Sequence, residues 1–342
     1  MAQYITFQPS DHFNTKLYTG NGSAGNSITG VGFQPDWVWI KNRGNTESHA
    51  LFDAVRGVTK RIASNSTGAE ETNANTVTAF GTDGFTVGTN AGVNGNGIST
   101  VAWNWKANGS GSANTDGTIS STVSANTTSG FSIVKYTGTG ANATVGHGLG
   151  AVPQVYWVKS LGHAQGAYCY FSSLGNNKQL LLSSNDAAGT TTLWNTTSPT
   201  STVFSLSSDH QVNGSYDFIA YCFAEKKGYS KFGSYTGNGN ADGPFIYTGF
   251  KPAFVMYKNS SVAGGHWQIY DNKRLGYNGA NKVLRANLNN AEADDEIDLL
   301  SNGFKCRDTN NNNNNHNGVT YIYMAFAEHP LVSSNDIPST AR

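Results

Sequence analysis

The alternation of apolar and polar positions in this chain comes back three times. From Tyr18 to Lys41, Tyr136 to Lys159 and Tyr235 to Lys258, three stretches of equal length follow one plan. Each starts with Tyr-Thr-Gly, passes a glycine-rich turn, reaches a proline and ends in a run of large apolar residues. That run reads Trp37-Val38-Trp39-Ile40, Val155-Tyr156-Trp157-Val158 and Phe254-Val255-Met256-Tyr257. Side chains alternate faces along a strand, so apolar residues on both faces predict central strands covered on both sides. A second strand is predicted at the end of each unit. There Val101, Trp103 and Trp105 alternate with Ala102 and Asn104, Ile219, Tyr221 and Phe223 with Ala220 and Cys222, and Ile322, Met324 and Phe326 with Tyr323 and Ala325. The spacing from the repeat tyrosine to the centre of this closing strand is 85, 85 and 89 positions, and the asparagine tract 310–315 is expected to absorb the excess.

Seven positions match in all three stretches: Tyr18, Thr19, Gly20, Gly22, Gly32, Pro35 and Lys41 in the first. The counterparts include Tyr136, Gly138, Gly150, Pro153 and Lys159, then Tyr235, Gly237, Gly249, Pro252 and Lys258. Asn-Gly in the first and third copies is a tight-turn signal, because such turns need positive φ. Gly32, Gly150 and Gly249 are expected where the backbone bends or another segment passes close. The proline is expected to open the strand, where its missing N–H is tolerated, and the lysine to mark the strand's exit to solvent.

The pattern predicts an all-β chain: three tandem antiparallel β-sandwich modules, jelly-roll-like, arising from an internal triplication. Modules are expected at 17–107, 130–225 and 230–329, each large enough for its own core. Residues 1–16 form an arm with Tyr4, Phe7 and Phe13, expected to add a strand to the first module. Residues 108–129 are a Gly/Ser/Thr/Asn-rich linker, of which 118–123 is a candidate strand against Phe131–Tyr136. Lys226-Lys227-Gly228-Tyr229 is a short joint that implies tight packing of modules 2 and 3. Residues 330–342 are a polar tail, and helix signals are scarce.

Lys+Arg and Asp+Glu balance at 22 each, which offers nothing to nucleic acid or an anionic membrane. Charged residues are only 13%, unlike a cytosolic enzyme and suited to a turn-rich β protein. Cys169, Cys222 and Cys306 do not make a disulfide framework. The N-terminus lacks a basic start and an apolar run, so no signal peptide is expected. No stretch has the length of a membrane span.

Candidate chemistry is sparse. His49 and His266 each lie eight residues beyond a repeat lysine, and Asp53 and Asp271 follow them. A His–Asp pair suits nucleophilic catalysis, but module 2 has Ala167 and Phe171 in that region, and no nucleophile-elbow motif occurs. A polar strand edge and a turn-forming aspartate are the expected roles. Glu292, Asp294, Asp295, Glu296 and Asp298 form an acidic run without calcium-loop spacing, expected to be a solvated loop. No metal or cofactor is expected. Among the tryptophans, Trp37, Trp39, Trp103, Trp105 and Trp157 lie on predicted core strands. Trp194 and Trp267 lie nearer loops and are the candidate ligand-contact aromatics.

The runs FQPSDHFNTKLYTGNGS, GVGFQPDWVWIKNR and LFDAVRG, with GYSKFGSYTGNGNADGPFIYTGFKPAFVMYK and TYIYMAFAEHPLV, resemble a family from tailed bacteriophages, marine ones especially. The resemblance covers essentially the whole chain. It departs at the asparagine tract and at Gly150-Ala151-Val152-Pro153. It implies a virion structural or tail-fibre-like protein, non-enzymatic, from a family with no activity assigned and no catalytic residues to carry over, assembled in the host bacterial cytoplasm. The implied partners are other virion proteins of tail or capsid, further copies of the chain in a homo-oligomer, and a host surface glycan or receptor. Implied roles are host attachment or, alternatively, head decoration. A glycan-binding module and a depolymerase are further alternatives, the latter needing a carboxylate pair across a groove.

Overall fold

A computed structural model describes residues 7–274, 281–295, 297–309 and 311–330. Tyr4, Glu296, Asn310 and residues 331–342 of the tail lie outside the described residues. The regular structure of the described residues is almost all strand, in antiparallel sheets.

Each repeat contributes four strands to a large sheet in the same spatial order. In the first unit the order is Phe13–Thr19, Ser99–Trp105, Trp37–Asn42, Ala50–Asp53. In the second it is Phe131–Thr137, Asp217–Phe223, Val155–Ser160, Tyr168–Phe171, and in the third Ser230–Thr236, Thr320–Pro330, Phe250–Asn259, Gln268–Asp271. The post-proline strand therefore lies inside the sheet, as its two apolar faces require. A smaller sheet covers one face of each large sheet. It is built on Asn26–Thr29 with Gly84–Val87, Ala143–Gly146 with Val203–Leu206, and Phe245–Tyr247 with Gly303–Cys306.

The other face looks inward, and there the alternation along the strand has its effect. Val38 and Ile40 point into the first unit's own sandwich, while Trp37 and Trp39 point into a core shared by all three units. Tyr156 and Val158 are divided from Val155 and Trp157 in the same way, and Val255 and Tyr257 from Phe254 and Met256. Each unit thus has its own core, as expected, but a fourth and larger core belongs to none of them. Trp37 stacks on Tyr221 of the second unit at 4.6 Å between ring centres, Trp39 meets Trp157 at 5.8 Å, and Trp105 meets Phe254 and Phe326 of the third unit, each at 5.6 Å.

The arm joins the first sheet. Phe13 to Thr19 pair in register with Trp105 to Ser99, and Phe7 packs on Tyr229 of the joint. Residues 108–129 do more than link. Ser121–Asn126 pairs antiparallel with Phe131–Thr137, and Ser112–Asn114 adds a further strand outside it. Pro35 and Pro153 precede their strands by two residues. Pro252 lies inside Phe250–Asn259 at a register shift, where a bulge accommodates its missing N–H.

The repeat lysines do not exit to solvent. Lys41, Lys159 and Lys258 are 0%, 2% and 0% exposed, because a neighbouring segment packs over each strand end. The asparagine tract is also not slack loop: Asn314 and Asn315 are fully buried.

Trp39, Trp157 and Met256 are all buried in the shared core. Replacing any one with alanine is expected to lower unfolding free energy by about 2–5 kcal/mol, read from the midpoint of a denaturant melt. A change within error would mean that the shared core does not hold the units together.

Candidate functional site

The YTGxG motif is a bolt between each hairpin and its closing strand. The repeat tyrosine donates its hydroxyl hydrogen to a backbone carbonyl: Tyr18 to Val93 at 2.6 Å, Tyr136 to Val212 at 2.6 Å and Tyr235 to Asn314 at 2.9 Å. The next residue is in every case a buried asparagine, Asn94, Asn213 or Asn315. Its Oδ1 accepts from the backbone N–H of Asn21, Thr139 or Asn238, each at 2.9 Å. Its Nδ2 donates to two carbonyls, one of them five residues beyond the tyrosine: Ser23, Ala141 or Asn240. A Cβ on Gly20, Gly138 or Gly237 would collide with the carbonyl oxygen of Gly95, Gly214 or His316, so only glycine lets the strands approach this closely. Gly32, Gly150 and Gly249 have φ of +89°, +64° and +81°, which makes them the expected backbone bends. The asparagine bolts escaped the sequence reading. The signal for two of them was Val-Asn-Gly at 93–95 and 212–214, hidden in the third unit by the asparagine tract.

The seams between units repeat as well. Glu292 N donates to Arg43 O at 2.9 Å, Glu70 N to Leu161 O at 3.0 Å and Ala188 N to Ser260 O at 2.8 Å. Each acceptor lies two residues beyond a repeat lysine, and the donors come in turn from the third, first and second units, so the ring closes on itself. The lysines sit beside these seams in cages of carbonyl oxygens. Lys159 Nζ donates to Ser160 O, Gln165 O and, across the seam, Gly68 O at 2.7 Å. Lys258 Nζ donates to Asn259 O and Gly265 O, and Lys41 Nζ to Asn42 O and Asn45 O. Burial lowers all three ammonium pKa values from 10.5 to about 8.

His49 and Asp53 serve the same closure. Trp39 Nε1–H donates to His49 Nδ1 at 2.8 Å, which leaves Nε2–H to donate to Arg285 O of the third unit at 3.0 Å. Burial holds the imidazole pKa down at about 3. Neither ring partner is a nucleophile. Asp53 pairs with Arg56 at 2.5 Å and accepts from Tyr221 Oη of the second unit at 2.8 Å. Asp271 pairs with Arg274 at 2.6 Å and accepts from Trp103 Nε1 of the first unit at 2.9 Å. Tyr221 and Trp103 hold matching places on their closing strands. The third place of this set is apolar on both sides: Met324 on the closing strand, and Phe171 with Leu174 where the other units carry Asp and Arg three apart. A buried ion pair costs desolvation that a well-packed apolar pair avoids, and the chain contains both solutions.

Trp194 and Trp267 are both 0% exposed, which corrects their assignment as ligand contacts. Trp194 stacks edge-on against Tyr156 and donates to Lys178 O, and Trp267 donates to Leu181 O across the seam between the second and third units. Of the acidic run, Glu292 forms a bidentate pair with Arg43, Asp294 pairs with Lys282 and Asp298 with Arg307, while Asp295 is buried against Asn314. Asp294, Asp295 and Asp298 lie on strands rather than in a loop, with Asp294 exposed, and among the described residues no cluster has metal-ligand character.

What reaches solvent is different. Phe245 and Tyr247 are 45% and 54% exposed on an edge strand of the third unit's small sheet, flanking buried Ile246. The matching positions are Ser27 and Thr29 in the first unit and Thr144 and Gly146 in the second, by their registers opposite Phe304, Phe85 and Phe204. Phe-Ile-Tyr alternation was the sequence signal for this pair. Three surface clefts measure about 200, 170 and 270 Å³, below the roughly 300–1,000 Å³ of small-molecule sites. Among the described residues no helix is long and apolar enough to cross a membrane.

A family model described as Domain of unknown function (DUF7483) matches residues 8–330. No curated protein and no solved structure matches the chain.

Two outcomes test the seam chemistry. Arg274→Met alone is expected to cost about 3–5 kcal/mol, because it strands a buried carboxylate. Asp271→Phe with Arg274→Leu, copying the second unit, is expected to cost less than Arg274→Met, in a double-mutant cycle of denaturant melts. The lysine cages set an alkaline trend. The unfolded lysines hold protons up to about pH 10.5 and the folded ones only to about 8, so the unfolded state binds more protons in that window and stability rises with pH from about 8. Buried thiols such as Cys306, raised to about 12, oppose the rise above their ordinary value of 9. The denaturant midpoint is therefore expected to climb between pH 7.5 and 9, and Lys258→Met to flatten that climb.

Proposed function

We propose, from the premise that this chain belongs to the family described as Domain of unknown function (DUF7483), that it is a non-enzymatic structural component of a tailed-phage virion. It is tail-associated or fibre-like, displayed outward, and aids host attachment. The observation that carries this reading is the closed ring of seams: three like units clamp one another by matched backbone bonds around a single aromatic core. Buried histidine, aspartate, arginine and lysine side chains are spent on that closure. Such a block suits a part that must hold its shape in an assembly. The resemblance of the repeat motifs to tailed-phage proteins supplies the particle. Its partners are other virion proteins, further copies of the chain and a host surface glycan or receptor, and no step of the role needs a cofactor.

A second reading is favoured by the same ring. Three like units around one core match a threefold position in a capsid lattice, which suits a head decoration or cement protein. The internal triplication belongs to this proposal too: a unit that once assembled as three separate chains would leave this arrangement when fused.

Quantitative mass spectrometry of purified particles, against the major capsid protein, tests both. A few to a few dozen copies per particle are expected for the tail reading and hundreds for the head reading. Abundance in infected cells with none in purified particles would overturn both.

A further inference from the structure

The second unit closes a side that the third unit leaves open. In the second unit, the outer edge of Phe131–Thr137 is paired with Ser121–Asn126, Lys135 opposite Thr122 and Ile133 opposite Ser124. The same segment, before it becomes that strand, crosses the small sheet. Ile119 N donates to Thr144 O at 3.0 Å, and Ser121 Oγ to Gly146 O at 3.3 Å. Ile119 and Val123 enter the second unit's core at 5% and 6% exposure. Residues 112–126 thus act as a strap that fills one side of the sandwich with main-chain bonds and two β-branched side chains four positions apart.

Among the described residues, the third unit has the same side without a strap. Tyr229 O accepts from Ala327 N and Gly237 N donates to Val319 O, which fixes the odd-numbered residues of Ser230–Thr236 as those bonded to the closing strand. The N–H and C=O groups of Ser234 and Thr236 therefore point away from the sheet. These positions correspond to Lys135 and Thr137 of the second unit, counted from Tyr235 and Tyr136. Both residues are exposed. The small-sheet positions that the strap covers in the second unit, Thr144 and Gly146, are Phe245 and Tyr247 here, and these stand in solvent. The repeat tyrosines report the difference: Tyr136 under the strap is buried, and Tyr235 is half-buried.

We propose that this side of the third unit is a docking slot for an extended strand from a partner protein, which adds antiparallel to the edge at Ser234–Thr236 and lies over Phe245 and Tyr247. The chain states the chemistry of the occupant, because it carries one. The partner segment is rich in serine and threonine, has two β-branched apolar residues four apart, and is free of proline where it pairs. Main-chain bonds supply affinity and the exposed rings supply selectivity, as in other strand-addition sites. An open sheet edge beside exposed aromatics is otherwise a liability for aggregation. The proposal stands independently of the virion reading, since it rests only on the comparison of two units of this chain.

The test uses the full chain and a fluorescent synthetic peptide of residues 112–126, SANTDGTISSTVSAN. Saturable binding by fluorescence anisotropy is expected. Ser234→Pro removes an outward N–H and leaves the bonds to the closing strand intact, so it is expected to abolish one bound equivalent with an unchanged melting temperature. The pair Phe245→Ser with Tyr247→Thr, copying the first unit, is expected to weaken that equivalent at least tenfold. Absence of saturable binding, or binding indifferent to both variants, overturns the proposal. So does a concentration-dependent dimer in sedimentation that Ser234→Pro disperses while no peptide binds, because the slot would then belong to a second copy.

Discussion

Three sheets with large rings on both faces need six coverings, and the small sheets supply only three. The remaining inward faces have one another. That constraint explains the shared core, where Trp37, Trp39, Trp103, Trp105, Trp157, Phe223, Phe254 and Phe326 meet from all three units. Apolar burial at about 25 cal/mol per Å² is the driving term. It is large enough to carry a visible cost: the indole N–H groups of Trp37, Trp105 and Trp157 find no acceptor among the described residues, at about 1–3 kcal/mol each.

Once the inner faces meet, the rims of the sheets are buried as well, and their polar groups have to be satisfied there. The seam bonds at Arg43, Leu161 and Ser260 follow from this, as do the lysine cages beside them. The Asp–Arg pairs are the polar version of a contact that the second unit makes with Phe171 and Leu174. The strap 112–126 and the open side of the third unit are likewise two states of one edge. The likeness of the units therefore serves the common core, and their differences mark where one unit makes a shared contact in another way or leaves it open.

Much of the fold was legible in the residues. The post-proline strands had apolar side chains on both faces, and both faces are covered. The closing strands alternated, and the alternation divides the unit cores from the shared one. Part of the site was legible too: the His–Asp pairs read as structural, and His49, Asp53 and Asp271 reach across seams, while His266 bonds Asn287 within its own unit. Other features were hidden for physical reasons. A lysine after an apolar strand looks like an exit to solvent unless the segment that covers it, for Lys159 the loop at Thr67 and Gly68 some 90 positions away, is known. Trp194 and Trp267 looked peripheral because their coverings come from separate parts of the chain. The roles of Asn94, Asn213 and Asn315 went unseen, since a side-chain amide reveals its partners only when the backbone is in place.

The sequence by itself determined what repeats: strand positions, the two-faced apolar pattern, the turns that need glycine and the tyrosine that begins each unit. These are local demands, met within a few residues by backbone geometry and side-chain period. Only the tertiary structure decided that the three units form a ring rather than a string, and that the lysines at the ends of the post-proline strands are interior. The ring depends on which surface meets which between distant parts of the chain, about 90 positions apart for Glu70 and Leu161, and no periodicity in the chain encodes such a pairing.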